Sequence, residues 1–395
     1  MSTNVSDPIR ILHVLTAMNM AGTETLLMNL YRNIDRTKVQ FDFAVSAENS
    51  CAYDAEITSL GGKIIHYPLY RPNVDFRYRK WWNRFFVEHP EYKIIHGHIG
   101  STAAIYLSIA KKHGCFTIAH SHSTSANVSL KEIGYKLYSY PTRYIADQFF
   151  GCSMQALIDR YGKRVALGSK AKVINNAIDA EKYIYNSITR VKIREKLGIE
   201  KQQLIIGTVG RLTFQKNPYE IIRICSELKR KGLEYKFLWY GTGELKEEIK
   251  RRISDEKLDD TIYLMGTRSD IYNVLQAFDI FLFPSLWEGL GIACVEAQAA
   301  GLPTLCSNTV PEEAKITNEC LFLPLNNTKK WSDEIEKIAK KVVNKEFIRQ
   351  NTYCDVLRAG YDIKEVSAWL ENFYVDTMER LKHDCSMHNF KLQRS

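Results

Sequence analysis

FPSLWEGLGIACV, residues 283–295, decides how this chain is read. The residues leading into it, Phe278 to Phe283, alternate and then fill with apolar side chains, as a parallel strand buried on both faces does. Pro284, Ser285, Gly289 and Gly291 mark a turn. Ile292 to Ala300 is then alanine-rich with apolar positions at helical spacing, ended by Gly301 and Pro303. The unit reads strand, glycine loop, helix. In that geometry the N–H groups of Gly289, Leu290, Gly291 and Ile292 sit near a helix N-terminus, where the macrodipole also favours an anion such as phosphate. Glu288 in the loop and Glu296 more than one turn into the helix can face one ligand. A carboxylate repels phosphate, so both are expected to accept hydrogen bonds from sugar or ribose hydroxyls. The competing reading is a helix cap and a solvated surface residue.

The chain has 395 residues, which exceeds the usual size of one hydrophobic core and predicts two domains. The early apolar run Ile9 to Met18 is broken by Arg10 and His13, which is not a signal-peptide pattern, and no stretch approaches a membrane span. Nine cysteines without metal-ligand spacing suit a reducing cytoplasm. The net charge of +9 fits an anionic ligand or an anionic membrane surface as well as nucleic acid.

Strand and helix patterns alternate along both halves, which means parallel sheets covered by helices. In the first half, strands are expected at Ile9–Leu15, Gln40–Ser46, Lys63–Tyr67, Lys93–Gly97, Phe116–His120 and Gln148–Ser153. In the second, they are expected at Leu204–Val209, Tyr235–Trp239, Thr261–Leu264, Phe278–Phe283, Thr304–Cys306 and Leu321–Leu323. The domain boundary is expected between Asn176 and Leu197, giving residues 1–183, 184–363 and a final segment 364–395 whose helix returns to the first domain.

Ligands of such sheets bind beyond the carboxyl ends of the strands. There GRLTFQKN (210–217) offers Arg211 and Lys216 to one diphosphate. Gly22, after the first strand, would let backbone approach a ligand closely, or serve only a tight turn. WYGTGELK has Lys246 where a dinucleotide fingerprint needs a third small residue, which excludes a nicotinamide site. IIHGHIGS and IAHSHSTS carry His96, His98, His120 and His122 past strand ends. The members of each pair are expected to point to opposite faces with no carboxylate or thiol completing a set, so no metal is expected. Arg77 to Phe86 sets aromatics on one helical face and basic residues opposite. A helix covering a sheet is favoured over a membrane-surface helix, and no nucleic-acid-binding module accompanies it.

Taken together, these motifs resemble family 4 glycosyltransferases, retaining enzymes of the GT-B fold. EGLGIACVE has a Glu, seven residues and a second Glu, as in that family's signature. Also similar are AGTETLLMNLYRNID (21–35), HSHST, VINNAID (173–179), GRLTFQKN, YGTGELKEEI and MGTRSDI (265–271). The likeness is greatest to bacterial transferases of exopolysaccharide or capsule synthesis. AGTE stands where that family commonly has two adjacent glycines, and NAID where NGVD is usual.

The resemblance implies an α/β, GT-B chain of two Rossmann-like doubly wound domains facing across a cleft. It further implies cytoplasmic transfer of a sugar from a nucleotide-sugar, a UDP-sugar above others, to a lipid-linked glycan. The nucleotide-sugar would be a co-substrate and no cofactor is expected. Contact with the anionic inner membrane surface is left open. By the same resemblance Arg211 and Lys216 hold the diphosphate, Glu296 the ribose and Glu288 the donor sugar, while the loop around Arg268 reads the base. His122, with His120 as runner-up, is the active-site histidine. There is no Asp-x-Asp motif, so the leaving diphosphate is expected to be neutralised without a metal ion. Two rivals stay open: a UDP-sugar epimerase on the same fold, and a catalytically silent nucleotide-sugar-binding protein.

Overall fold

Thirteen parallel strands build two sheets in the computed structural model, which describes residues 7–19, 22–122 and 137–392. Ala21 of the first glycine loop and Ser123 and Thr124 of the second histidine motif lie outside the described residues. The chain forms two units, residues 1–177 with 363–395, and residues 178–362. Ala180 and Tyr183, assigned from sequence to the first domain, pack in the core of the second.

In the first unit the strands are β1 (Ile9–Leu15), β2 (Val39–Val45), β3 (Ile64–His66), β4 (Ile94–Gly97), β5 (Phe116–Ser121), β6 (Gln148–Gly151) and β7 (Ala171–Val173). They are ordered β3-β2-β1-β4-β5-β6-β7. β7 was not expected from sequence. It is three residues at the sheet edge, and none of its side chains is fully buried, so no apolar run marks it. The helix Asp75–Glu88 buries Tyr78, Trp82, Phe85 and Phe86 and leaves Arg77, Lys80 and Arg84 exposed. Its aromatic face is therefore part of the core. Trp82 is fully buried, and truncation to Ala there would cost about 3–5 kcal/mol. The helix Ile363–Leu392 lays Ile363, Leu370 and Tyr374 against Ile11, Phe41 and Phe43, and Glu371 accepts the Asp35 N–H at 2.9 Å.

In the second unit β8 (Ile205–Val209), β9 (Lys236–Tyr240), β10 (Ile262–Gly266), β11 (Ile280–Phe283), β12 (Thr304–Ser307) and β13 (Cys320–Leu323) are ordered β10-β9-β8-β11-β12-β13. Strand order reverses between β8 and β11, and in the first sheet between β1 and β4. The loops leaving such a pair diverge and open a crevice at the carboxyl edge. The four loops at the two reversal points carry Gly22, His98, Arg211, Lys216 and Glu288.

Candidate active site

β11 is fully buried, and the chain turns after it through the loop 284–291 into the helix Ile292–Ala299. The turn needs Gly291, whose φ is +89°. A Cβ there would stand 3.1 Å from Phe283 and 3.3 Å from Val310. The loop is pinned from behind, since Ser307 Oγ and Thr309 Oγ1 donate to the Ser285 carbonyl at 2.5 and 2.8 Å. Leu290 and Glu288 are buried, whereas Gly289 and Ile292 are half-buried at the helix start. The first N–H groups of a helix have no intrahelical acceptor, so this end offers donors and positive potential to an anion.

The loop after β8 meets it. Phe214–Lys216 forms a 3₁₀ turn ending at Asn217, which takes a left-handed conformation (φ +53°) before the helix Pro218–Arg230. That turn aims Lys216 at the β11 loop. Lys216 Nζ donates to Glu288 Oε1 at 2.6 Å and lies 4.6 Å from the centre of the Phe283 ring. Gln215 Nε2 donates to the Trp287 carbonyl at 2.9 Å, and the Leu286 N–H donates to the Gln215 carbonyl at 2.8 Å. Arg211 is exposed and makes no side-chain hydrogen bond among the described residues. Lys216 and Glu288 are thus brought together as a pair, with Arg211 left as the available cation.

Glu296 lies in the helix one turn on. Its Oε1 accepts the Tyr183 hydroxyl at 2.5 Å, and burial lifts its carboxyl from 4.5 to about 7. Sequence reasoning missed Tyr183. Its only signal was the aromatic residue in NAIDAEKY, seven residues past Asn176.

The loop after β9 is laced to its neighbours. Gly210 N–H donates to the Tyr240 carbonyl, Leu212 N–H to Thr242 and Gly241 N–H to Gly266. A Cβ on Gly241 would collide with the Gly210 carbonyl oxygen, so close backbone approach explains the glycines of YGTGE. In the loop after β10, Arg268 is held by Asp270 through two bonds of 2.7 Å. Its guanidinium is therefore occupied by a neighbour in its own loop.

The first unit holds Gly22 and His122. Gly22 opens the helix Gly22–Asn33, and a Cβ on it would meet nothing within 4 Å, so packing does not require glycine there. The histidines need a correction. His96 and His120 lie within β4 and β5, with His98 and His122 immediately beyond. Side chains at i and i+2 of a strand share a face, so each pair points the same way. The ring centroids are 4.4 Å apart in one pair and 4.0 Å in the other. His122 Nε2 meets His98 Nδ1 at 2.7 Å, and burial lowers the His122 imidazole from 6.5 to about 3. It is therefore neutral at pH 7.

Comparison with known proteins gives this arrangement its class. Residues 189–353, spanning β8 to β13 and the candidate residues from Arg211 to Glu296, match the family model described as Glycosyl transferases group 1. The chain carries a glycosyltransferase group 1 domain. The transferase is 29% identical over 381 residues to EpsF of Bacillus subtilis (strain 168), assigned as a glycosyltransferase, covering 94% of this chain and 97% of EpsF. It is 28% identical over 301 residues to the UDP-Gal:alpha-D-GlcNAc-diphosphoundecaprenol alpha-1,3-galactosyltransferase of Escherichia coli, covering 72% of this chain and 76% of that enzyme. Anabaena Alr3699/HepE in complex with UDP has the same fold at TM-score 0.76 and 14% identity, over 93% of this chain and 100% of that one. The transferase has the GT-B fold, with a Rossmann-like unit in each half. Among its described residues no helix is long and apolar enough to cross a membrane.

Proposed function

We propose that this glycosyltransferase moves a sugar, with retention of configuration, from a UDP-sugar to a lipid-linked glycan during exopolysaccharide or capsule synthesis. The observation that carries the donor half is the Lys216–Glu288 pair beside the Gly291 turn. It sets a cation, a carboxylate and a helix N-terminus around one space at the carboxyl edge of the second sheet. The diphosphate is taken by the N–H groups of Gly289 to Ile292, by Arg211 and by Lys216. Glu288 accepts a donor-sugar hydroxyl, Glu296 accepts the ribose hydroxyls in place of Tyr183, and the loop around Arg268 holds the base. These contacts supply the positive charge that the leaving diphosphate needs, so no metal ion takes part in the transfer.

The first unit takes the acceptor and supplies His122, and Gly22 belongs to the donor contacts, where backbone approaches the phosphate. A neutral imidazole there can donate one hydrogen bond to the donor sugar. The Escherichia coli relative acts on a diphosphoundecaprenol-linked sugar with UDP-Gal, and HepE binds UDP. Both support a UDP donor, and the first supports a lipid-linked acceptor. The site of action is then the cytoplasmic face of the membrane that holds the acceptor.

The test is a panel of UDP-sugars offered, in the presence of EDTA, with polyprenyl-diphosphate-linked saccharides and read by mass spectrometry. A product heavier by one sugar is expected. An epimerised donor without product, or donor binding without turnover, overturns the proposal, and so does activity that EDTA abolishes and manganese restores.

A further inference from the structure

Five histidines of the first unit stand on one face of the first sheet at its carboxyl edge. His13 lies level with His96 across the β1–β4 pairing, and β5 brings His120 beside them. His98 continues the middle row, beyond β4, and His122 the outer row beyond β5. Two chains of contacts run through the cluster. In one, His13 Nδ1 meets His98 Nε2 at 3.0 Å and His98 Nδ1 meets His122 Nε2 at 2.7 Å. In the other, the Tyr374 hydroxyl meets His96 Nδ1 at 2.6 Å and His96 Nε2 meets His120 Nδ1 at 3.1 Å.

Counting protons shows what is missing. Three neutral imidazoles carry three N–H groups and three lone pairs. Two mutual contacts use two of each, whichever way the tautomers run. One N–H and one lone pair are left at the ends of the first chain, on His13 Nε2 and His122 Nδ1, and one nitrogen is left at the end of the second, on His120 Nε2. All three atoms are buried and have no partner among the described residues. His13 and His120 are 0% and 4% exposed, so water does not satisfy them freely. Buried polar atoms are rarely left unpaired, and a cluster of such nitrogens asks for a ligand that accepts lone pairs. Among the described residues the partners of these rings are imidazole and phenol, with no carboxylate, so an added cation would be held by neutral nitrogens.

We propose that His98, His120 and His122 bind one divalent first-row transition ion of the zinc class, with the fourth coordination position open to solvent. One nitrogen from each of these rings lies within 4.8 Å of the other two. A tetrahedral ion at about 2.0–2.1 Å from each nitrogen spaces its ligands about 3.4 Å apart, so binding opens the 2.7 Å contact between His98 and His122 and puts the ion in its place. Imidazole suits zinc, cobalt, nickel and copper rather than magnesium or calcium, whose preferred ligands are oxygens. His98 and His122 are half-buried, which gives the ion a way in from the sheet edge. His13 and His96 stand behind as positioning residues: each contacts a ligand ring through its other nitrogen, the arrangement that fixes a metal-bound imidazole. The ion shares His122 with the donor-sugar contact proposed above but touches none of the diphosphate contacts of the second unit, and its test reads metal binding, which stands or falls apart from sugar transfer.

The experiment uses the untagged full-length chain, stripped with EDTA and desalted, and titrated with Co²⁺ alone. One equivalent is expected to bind with a micromolar or lower dissociation constant, giving visible d–d absorption of a tetrahedral nitrogen site that Zn²⁺ abolishes. His98→Asn and His122→Asn should each weaken binding at least tenfold. His66→Ala, at an exposed histidine outside the cluster, should leave it unchanged. Circular dichroism establishes that each variant is folded, and His122→Asn, at a half-buried position, serves if His98→Asn is not. No stoichiometric binding, or binding that survives both Asn variants, overturns the proposal. So does a near-ultraviolet thiolate charge-transfer band, which would put the ion on Cys294, Cys306 and Cys320, another group among the described residues close enough to hold one.

Discussion

Lys216 Nζ and Glu288 Oε1 lie 2.6 Å apart although 72 residues separate them in sequence. Their side chains are 17% and 8% exposed, so each charge depends on the other for solvation. Glu288→Gln and Lys216→Met should each lower kcat two to three decades, about 3–4 kcal/mol of transition-state stabilisation. The double variant should be little worse than the poorer single, because the two act as one unit. Additive losses in steady-state kinetics would mean that the residues work independently. Arg211→Ala should lose as much activity with an unchanged melting temperature, since the side chain is exposed and unbonded.

Gly291→Ala tests the turn. The new methyl would sit at a φ of +89° and press on Phe283 and Val310. Left-handed backbone alone costs an L-residue roughly 1–2 kcal/mol. Thermal unfolding should therefore move down by several degrees, and calorimetry should show weaker UDP binding. A variant with wild-type melting and UDP affinity would show that the loop tolerates another geometry.

Glu296 should give donor binding a pH dependence. Its folded carboxyl titrates at about 7 against 4.5 unfolded, raised by burial. Below pH 7 it is protonated and a weaker acceptor for ribose hydroxyls, so UDP affinity should rise from pH 6 to pH 8. The stability contribution runs the other way. It is fully present below pH 4.5 and lost as pH rises through about 7, because the unfolded chain gives up this proton first. Glu296→Gln should flatten both slopes, and Tyr183→Phe, which removes the 2.5 Å bond, should steepen the binding curve by raising the carboxyl further. A flat wild-type binding profile between pH 6 and 8 would remove Glu296 from the ribose site.

The new glycosidic bond should keep the donor's anomeric configuration. Inversion needs a base behind the anomeric carbon, and the carboxyl group of the second-unit loop, Glu288, is already engaged by Lys216. Same-face attack remains, in which the departing diphosphate oxygen takes the acceptor proton. With an α-linked UDP-sugar, the anomeric coupling of fresh product by NMR should report an α-linkage. A β-linked product would make His122 the first candidate for a base.

The sequence by itself determined the layering of this protein. Buried parallel strands write themselves as unbroken apolar runs, and glycine and proline punctuate the loops, so twelve strands were legible while the half-exposed edge strand Ala171–Val173 was not. It also placed the candidate residues, because Arg211, Lys216, Glu288, Gly291 and Glu296 each follow a strand end closely enough to be located by counting. Only the tertiary structure decided who meets whom. The strand order reverses between β8 and β11, and that crossover sets Lys216 against Glu288. Packing of the segment 178–183 with the second unit brings Tyr183 to Glu296 across 113 residues. The histidines show the limit most plainly. His13, His96 and His120 belong to three strands whose neighbourhood is fixed by hydrogen bonding along the sheet, a relation between distant segments that local spacing does not encode.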